Sequence, residues 1–133
     1  MGIDYGTKRV GVAVTDSLQI CANGLDTIAT PDIFQFIENY CKEEDVSDFV
    51  VGEPLYPDGN PAQIHHLVMG FVNKLKKMFP DKEIHLEDER FTSVDAIKAI
   101  RLSGAKKKKR QDKALVDRMS ATLILQAFLE RKY

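Results

Sequence analysis

Long apolar runs, cysteine motifs and a net charge of either sign are what this 133-residue chain lacks. Its longest apolar run, Phe49 to Gly52 and its neighbours, is far short of the roughly 20 residues a bilayer span needs. No basic-then-apolar leader opens the sequence, so a soluble, unexported protein that makes no use of a membrane is expected. Cys21 and Cys41 stand 20 positions apart with no CxxC or His-rich spacing. That argues against a zinc site, gives little support to a disulfide framework and fits a reducing cytoplasm. Nothing repeats, and a formal charge of −1 excludes a uniformly basic coat for nucleic acid. Gly6 and Gly11 fall in a hairpin instead of a strand-to-helix turn, which disfavours a dinucleotide site.

What is present suffices for one core. At 44% hydrophobic and 29% charged, residues 1–133 have the size and apolar content of a single domain. The near-zero charge also hides an asymmetry. From Lys98 to Arg118 nine basic residues face two acids, so this segment carries +7 and the remainder −8. One patch suited to a polyanion is therefore allowed, centred on Lys106, Lys107, Lys108, Lys109 and Arg110. Few aromatics interleave with these lysines, so phosphate and shape recognition of a structured nucleic acid fits better than stacking on single-stranded bases. The competing reading is a solvated linker.

Met1 to Tyr5 is strand-like, Gly6-Thr7-Lys8 reads as a turn, and Val10, Val12 and Val14 alternate with Gly11, Ala13 and Thr15. This is a β-hairpin. A third strand over about Ile20 to Ile28 holds Asn23-Gly24, which reads as a turn or a bulge. Thr30-Pro31 looks like a cap before a first-turn proline, predicting a helix over about Pro31 to Glu44. Asp48 to Gly52 reads as a strand buried on both faces, and Pro54 to Pro61 as a loop. A helix is predicted over about Ala62 to Met78 with Ile64, Leu67, Val68, Phe71, Val72 and Leu75 on its apolar side, then a strand over Ile84 to Asp88. A short helix from Thr92 to about Gly104 and a last helix over about Asp112 to Arg131 complete the chain. His65 and His66 point in different directions on their helix and cannot chelate one ion from one face. Right-handed crossovers then require an α/β fold: a mixed sheet with an antiparallel hairpin side and parallel strands, flanked by helices.

In such a sheet functional groups gather at the carboxyl ends of the parallel strands. Asp4 sits in the first strand, where Asp is disfavoured, and Asp88 and Glu89 close a later one. On the last helix Asp117 falls inside the apolar arc, between Ile124 and Phe128, with Ser120 and Ala121 one turn on. Buried carboxylates are costly unless paired with cations or bound to metal. Three converging acids would suit Mg²⁺ or Mn²⁺, and two such ions about 4 Å apart would support phosphodiester hydrolysis. The structural alternatives are Asp4 capping the turn at Gly6-Thr7, Glu89 pairing with Arg90, and Asp117 pairing with Lys113 or Arg118.

Four ordered segments carry a resemblance: Asp4 to Ala13 (DYGTKRVGVA), Val50-Val51-Gly52, Asp88 to Ser93 (DERFTS) and Lys113 to Gln126 (KALVDRMSATLILQ). Together they resemble the YqgF family, nucleases similar to Holliday junction resolvases with an RNase H-like fold. The resemblance covers nearly the whole chain. It implies a metal-dependent nuclease processing pre-16S ribosomal RNA ends. The alternatives are a resolvase of branched DNA, needing a symmetric dimer, and a non-catalytic nucleic-acid-binding module. It makes Asp4, Glu89 and Asp117 the metal-binding catalytic acids, with Asp88 a further candidate ranked behind Glu89, since only one of two adjacent strand residues can face the site directly. Thr7, Lys8, Arg9 and Arg90 would donate to phosphate, and Gly6 would let backbone approach it. Partners so implied are structured RNA or branched DNA and ribosomal precursor particles, with monomer and homodimer both open. Two departures are noted: only Met1-Gly2-Ile3 precede Asp4, which would weaken a central strand, and Glu53 replaces an apolar residue where related resolvases place an acid, so that it reads as a further ligand or, ahead of that, as a solvated loop charge.

Overall fold

The computed structural model describes residues 1–16, 18, 21–55, 58–89 and 113–132. Strand β1 (Gly2–Tyr5) turns back into β2 (Arg9–Thr15), as the alternating valines predict, and β3 (Ala22–Ala29) adds on antiparallel. A 3-10 turn (Thr30–Asp32) leads into α1 (Ile33–Glu43). Next come β4 (Asp48–Glu53), α2 (His65–Met78), β5 (Glu83–Asp88) and α3 (Lys113–Lys132). The five strands lie in the order β3-β2-β1-β4-β5, with β1, β4 and β5 mutually parallel. The mixed sheet expected from the sequence is thus the one observed. The helix from Thr92 to Gly104, the strand start at Ile20 and the lysine run lie outside the described residues.

Helices cover both faces of the sheet. Ile3, Val10, Val12, Phe49 and Val51 face α1 and α2, where Ile33, Ile37, Val68, Phe71, Val72 and Leu75 meet them in the larger core. Ala13 and Val50 face the other way and pack with Ala121, Ile124, Leu125 and Leu129 of α3. Each large apolar side chain so buried contributes about 1.5–3 kcal/mol. Coverage on both faces explains why β2 and β4 are buried continuously along their centres. β1 is short, yet it is paired on both sides, to β2 through four residues and to β4 through Gly2 and Ile3.

One open alternative is decided and three local expectations are revised. Asn23-Gly24 is no turn: β3 runs through it, and the register skips Leu25 between Asp26 and Gly24, a bulge that leaves Leu25 exposed. Thr30 does not cap α1. Its hydroxyl donates to Gly6 O at 2.7 Å while its amide donates to Lys8 O at 3.1 Å, so it ties down the β1–β2 turn instead. α2 begins at His65, not Ala62, because Ala62 N donates to Pro54 O and a Leu55–Pro61 bridge holds the preceding segment in the loop. Leu67, expected in the core, is 41% exposed in the first turn of α2.

Candidate active site

Period-two alternation decides which side chains share a face. On β1, Ile3 and Tyr5 point into the α1/α2 layer, so Asp4 points toward α3. The Tyr5 ring packs at 4.8 Å from that of Phe71, which lies 5.1 Å from Phe34, and this aromatic cluster fixes the orientation of the strand end that carries Asp4. On β5, Ile84 and Leu86 enter the α1/α2 core, leaving 83, 85, 87 and 89 on the α3 side. Glu89 therefore reaches the side of Asp4, and its amide extends the ladder by donating to Glu53 O at 3.2 Å. Asp88 is exposed and of the opposite parity. Its charge acts on Glu89 from outside the site.

Two glycines make room for this arrangement. A Cβ on Gly11, the residue opposite Asp4 in the hairpin, would lie 2.0 Å from the Asp117 carbonyl oxygen, so the backbone of α3 rests directly on β2. A Cβ on Gly52 would lie 2.4 Å from Glu89 Oε2 and 2.6 Å from Ile124 Cδ1, so the Glu89 carboxylate occupies the space above Gly52. Gly6, expected to admit a phosphate, is needed by the turn itself, since a Cβ there would strike Arg9 O at 2.5 Å.

The three acids are brought together. The Asp4 and Glu89 carboxyls are hydrogen-bonded to each other, and the charge of Asp117 acts on Asp4. Burial, followed by the proximity of Asp4, raises Glu89 to about 9. Burial raises Asp4 to about 6, with Asp117 adding to the rise and the bond to Glu89 opposing it. Two carboxyls in such contact cannot both ionise cheaply, so the pair holds a proton at neutral pH. Asp117 pairs with neither Lys113 nor Arg118 in its own helix. Its Oδ2 accepts from Arg9 Nε at 2.7 Å, across 108 residues of sequence.

The remaining sequence-predicted positions divide. Thr7 and Lys8 are exposed on the β1–β2 turn, at the same end of the sheet as the acids. Arg9 is partly exposed and engages Asp117 through its Nε. Glu53 has the parity of Phe49 and Val51 and faces away from the acids, where its Oε2 meets His65 Nε2 at 3.0 Å. Arg90, Lys106, Lys107, Lys108, Lys109 and Arg110 lie outside the described residues.

Sequence reasoning missed a second polar group, at the amino ends of β4 and β5. His85 Nε2 lies 2.9 Å from Asp48 Oδ2 and 3.5 Å from Glu83 Oε2, and its ring packs at a tilt of 34° against Phe128, 4.6 Å between centroids. These three donors lie within 4.8 Å of one another and could hold a metal ion. A cavity of about 410 Å³ bounded by Met1, Asp16, Asp48, Val50, Leu125 and Phe128 lies at that end, away from Asp4 and Asp117. The alternation Glu83, His85, Glu87, Glu89 was the available signal. Among the described residues no helix is long and apolar enough to cross a membrane.

A 3-2-1-4-5 mixed sheet, with acids on its central strand, beyond its last parallel strand and on the closing helix, is an RNase H-like α/β arrangement. Over residues 1–131 the sequence matches the family model described as "RuvX: Holliday junction resolvase", and the chain belongs to that family. Relatives include proteins of Phocaeicola vulgatus, 49% identical over 99% of this chain and 95% of the relative. Others come from Christiangramia forsetii (48%, over 97% and 96%) and Flavobacterium psychrophilum (48%, over 99% and 96%). All three are named "Putative pre-16S rRNA nuclease". Family and relatives alike are hydrolases of phosphodiester bonds, whose substrate is nucleic acid.

Proposed function

We propose that this chain is a single-domain, metal-dependent nuclease that processes the ends of pre-16S rRNA, in the cytoplasm and on ribosomal precursor particles. The observation that carries this reading is the convergence of Asp4, Glu89 and Asp117 on one face at the carboxyl end of the parallel strands. The relatives' name supplies the substrate.

The donor set fits the metal. It is oxygen-only and carboxylate-rich, and its one protein counter-cation, among the described residues, is Arg9 on Asp117. That chemistry suits Mg²⁺ or Mn²⁺. Asp4, Glu89 and Asp117 would hold the ions. When bound, the ions supply charge stabilisation of the scissile phosphate and lower the pKa of an attacking water. The chain does the rest. Asp4 and Glu89 would release their shared proton to solvent on taking up a cation, the Gly11 and Gly52 contacts hold α3 and Glu89 against the strand ends, and Arg9, bonded to Asp117 in this structure, would be placed to turn toward a phosphate oxygen. Thr7 and Lys8 project from the adjoining turn, with Arg90 and the Lys106–Arg110 run as further phosphate donors.

The test is cleavage by purified protein of a pre-16S RNA end and of four-way junction DNA, each with and without Mn²⁺. Asp4→Asn should abolish metal-dependent cleavage while leaving the circular dichroism spectrum intact; retained cleavage refutes the assignment. The family description favours a second reading, resolution of branched DNA, which predicts paired incisions by a symmetric dimer. A strictly monomeric protein on junction DNA would count against it.

A further inference from the structure

Helix α3, which carries Asp117, also buries an oxygen that has no partner among the described residues. Ser120 is 1% exposed, the one fully buried polar residue among the described residues, and its Oγ has no hydrogen-bond partner among them. A buried hydroxyl usually finds one, at the least through the carbonyl four residues back. Two positions along the same helix Thr122 does that, its Oγ1 donating to Arg118 O at 2.8 Å.

Placement gives the orphan hydroxyl its direction. Asp117, Ser120 and Ile124 follow one another at helical spacing and share a face of α3. At one end of this row the Asp117 backbone rests on Gly11, the hairpin partner of Asp4; at the other, Ile124 Cδ1 and the Glu89 carboxylate converge over Gly52. Ser120 lies between them, and a helical side chain leans toward the helix N-terminus, here toward Asp117. The hydroxyl thus belongs to the same face and the same strand ends as the acids.

We propose that Ser120 is a positioning residue of the metal centre, its hydroxyl hydrogen-bonding to the oxygen shell of the cation that Asp4, Glu89 and Asp117 hold. This rests on the metal-dependent reading above. Mg²⁺ and Mn²⁺ retain waters beside their carboxylate ligands, and each retained oxygen needs a partner when protein closes around it. Residues that hold such ligands from outside the coordination sphere typically contribute about tenfold or more to metal affinity.

The experiment compares wild type, Ser120→Ala, Ser120→Thr and Asp4→Asn, each stripped with EDTA and titrated with Mn²⁺ by isothermal calorimetry. Melting is recorded with and without the ion. Expected for Ser120→Ala is about tenfold weaker Mn²⁺ binding, together with a metal-free melting temperature equal to or above that of wild type, since an unpaired buried hydroxyl is removed. Ser120→Thr, which keeps the hydroxyl, should retain more of the affinity than Ser120→Ala. A merely structural serine gives the opposite pattern, a lower metal-free melting temperature with unchanged affinity, and that result overturns the proposal. Unchanged binding in Ser120→Ala alongside lost binding in Asp4→Asn refutes the role of Ser120 while leaving the metal centre standing. Unchanged binding in Asp4→Asn as well refutes the metal centre itself, and the role of Ser120 with it.

Discussion

The Asp4–Glu89 pair should make the metal-free protein lose stability as pH rises, and Glu89→Gln should remove most of that loss. Glu89 titrates near 4.5 when unfolded and near 9 in the folded protein, so between those values the folded state holds a proton that the unfolded state has released. Stability then falls with increasing pH throughout that window, and it is fully present only below about pH 4.5. At pH 7.5 the gap is about three pH units, which at ~1.36 kcal/mol each gives about 4 kcal/mol; partial solvent access brings the expected cost to about 2–4 kcal/mol. Glutamine has the shape of the protonated acid, and its amide donates to Asp4 as the acid does, but it has no proton to lose. Urea unfolding in EDTA at pH 4.5, 6 and 7.5 checks this. The variant and wild type should nearly coincide at pH 4.5 and diverge steadily above it, with the variant more stable. Parallel pH profiles, or a variant less stable than wild type at pH 7.5, would refute the shared-proton description.

Other expectations follow from contacts around the site. Gly11→Ala sets a methyl 2.0 Å from the Asp117 carbonyl oxygen and should cost about 3 kcal/mol or more in urea unfolding and abolish Mn²⁺ binding; a stable, metal-binding variant would overturn the close approach of α3. Arg9→Ala leaves Asp117 beside Asp4 without its cation and should lower metal-free stability by about 1 kcal/mol, with Mn²⁺ restoring most of it; no metal rescue would count against the three-acid site. Changing Lys106, Lys107, Lys108 and Lys109 together to Ala should flatten the log–log salt dependence of RNA binding by up to about four without altering Mn²⁺ affinity, and an unchanged slope would remove this run from the interface.

The sheet was legible because its signals are local. Alternating valines marked β2, a proline-bounded apolar run marked β4, and crossover handedness placed β4 and β5 parallel to β1. The three acids were legible individually, through an Asp in a strand, an acid at a strand end and an acid inside an apolar helical arc. Their partners were not. Asp117 joins Arg9 and Glu53 joins His65, where sequence proximity had suggested Lys113 or Arg118 for the first and solvent for the second. Such pairings depend on which strands become neighbours, and no spacing rule contains that. Between Asp88 and Glu89, by contrast, the choice could have been made: apolar Ile84 and Leu86 fix the core face of β5 and put 83, 85, 87 and 89 on the other. Thr30 failed as a cap for a related reason, its hydroxyl being drawn to Gly6 in a different part of the chain.

Helix α3 lies across every strand of the sheet, and it supplies Asp117 and one whole apolar layer. During synthesis the five strands of the sheet can therefore emerge with one face uncovered and with Asp4 and Glu89 lacking their third acid. Loop closure over 108 residues must precede the first Arg9–Asp117 contact. Helix α3, made after all five strands, thus completes the core and the site in one step, so that a chain interrupted before it lacks the cutting centre that the proposed activity requires.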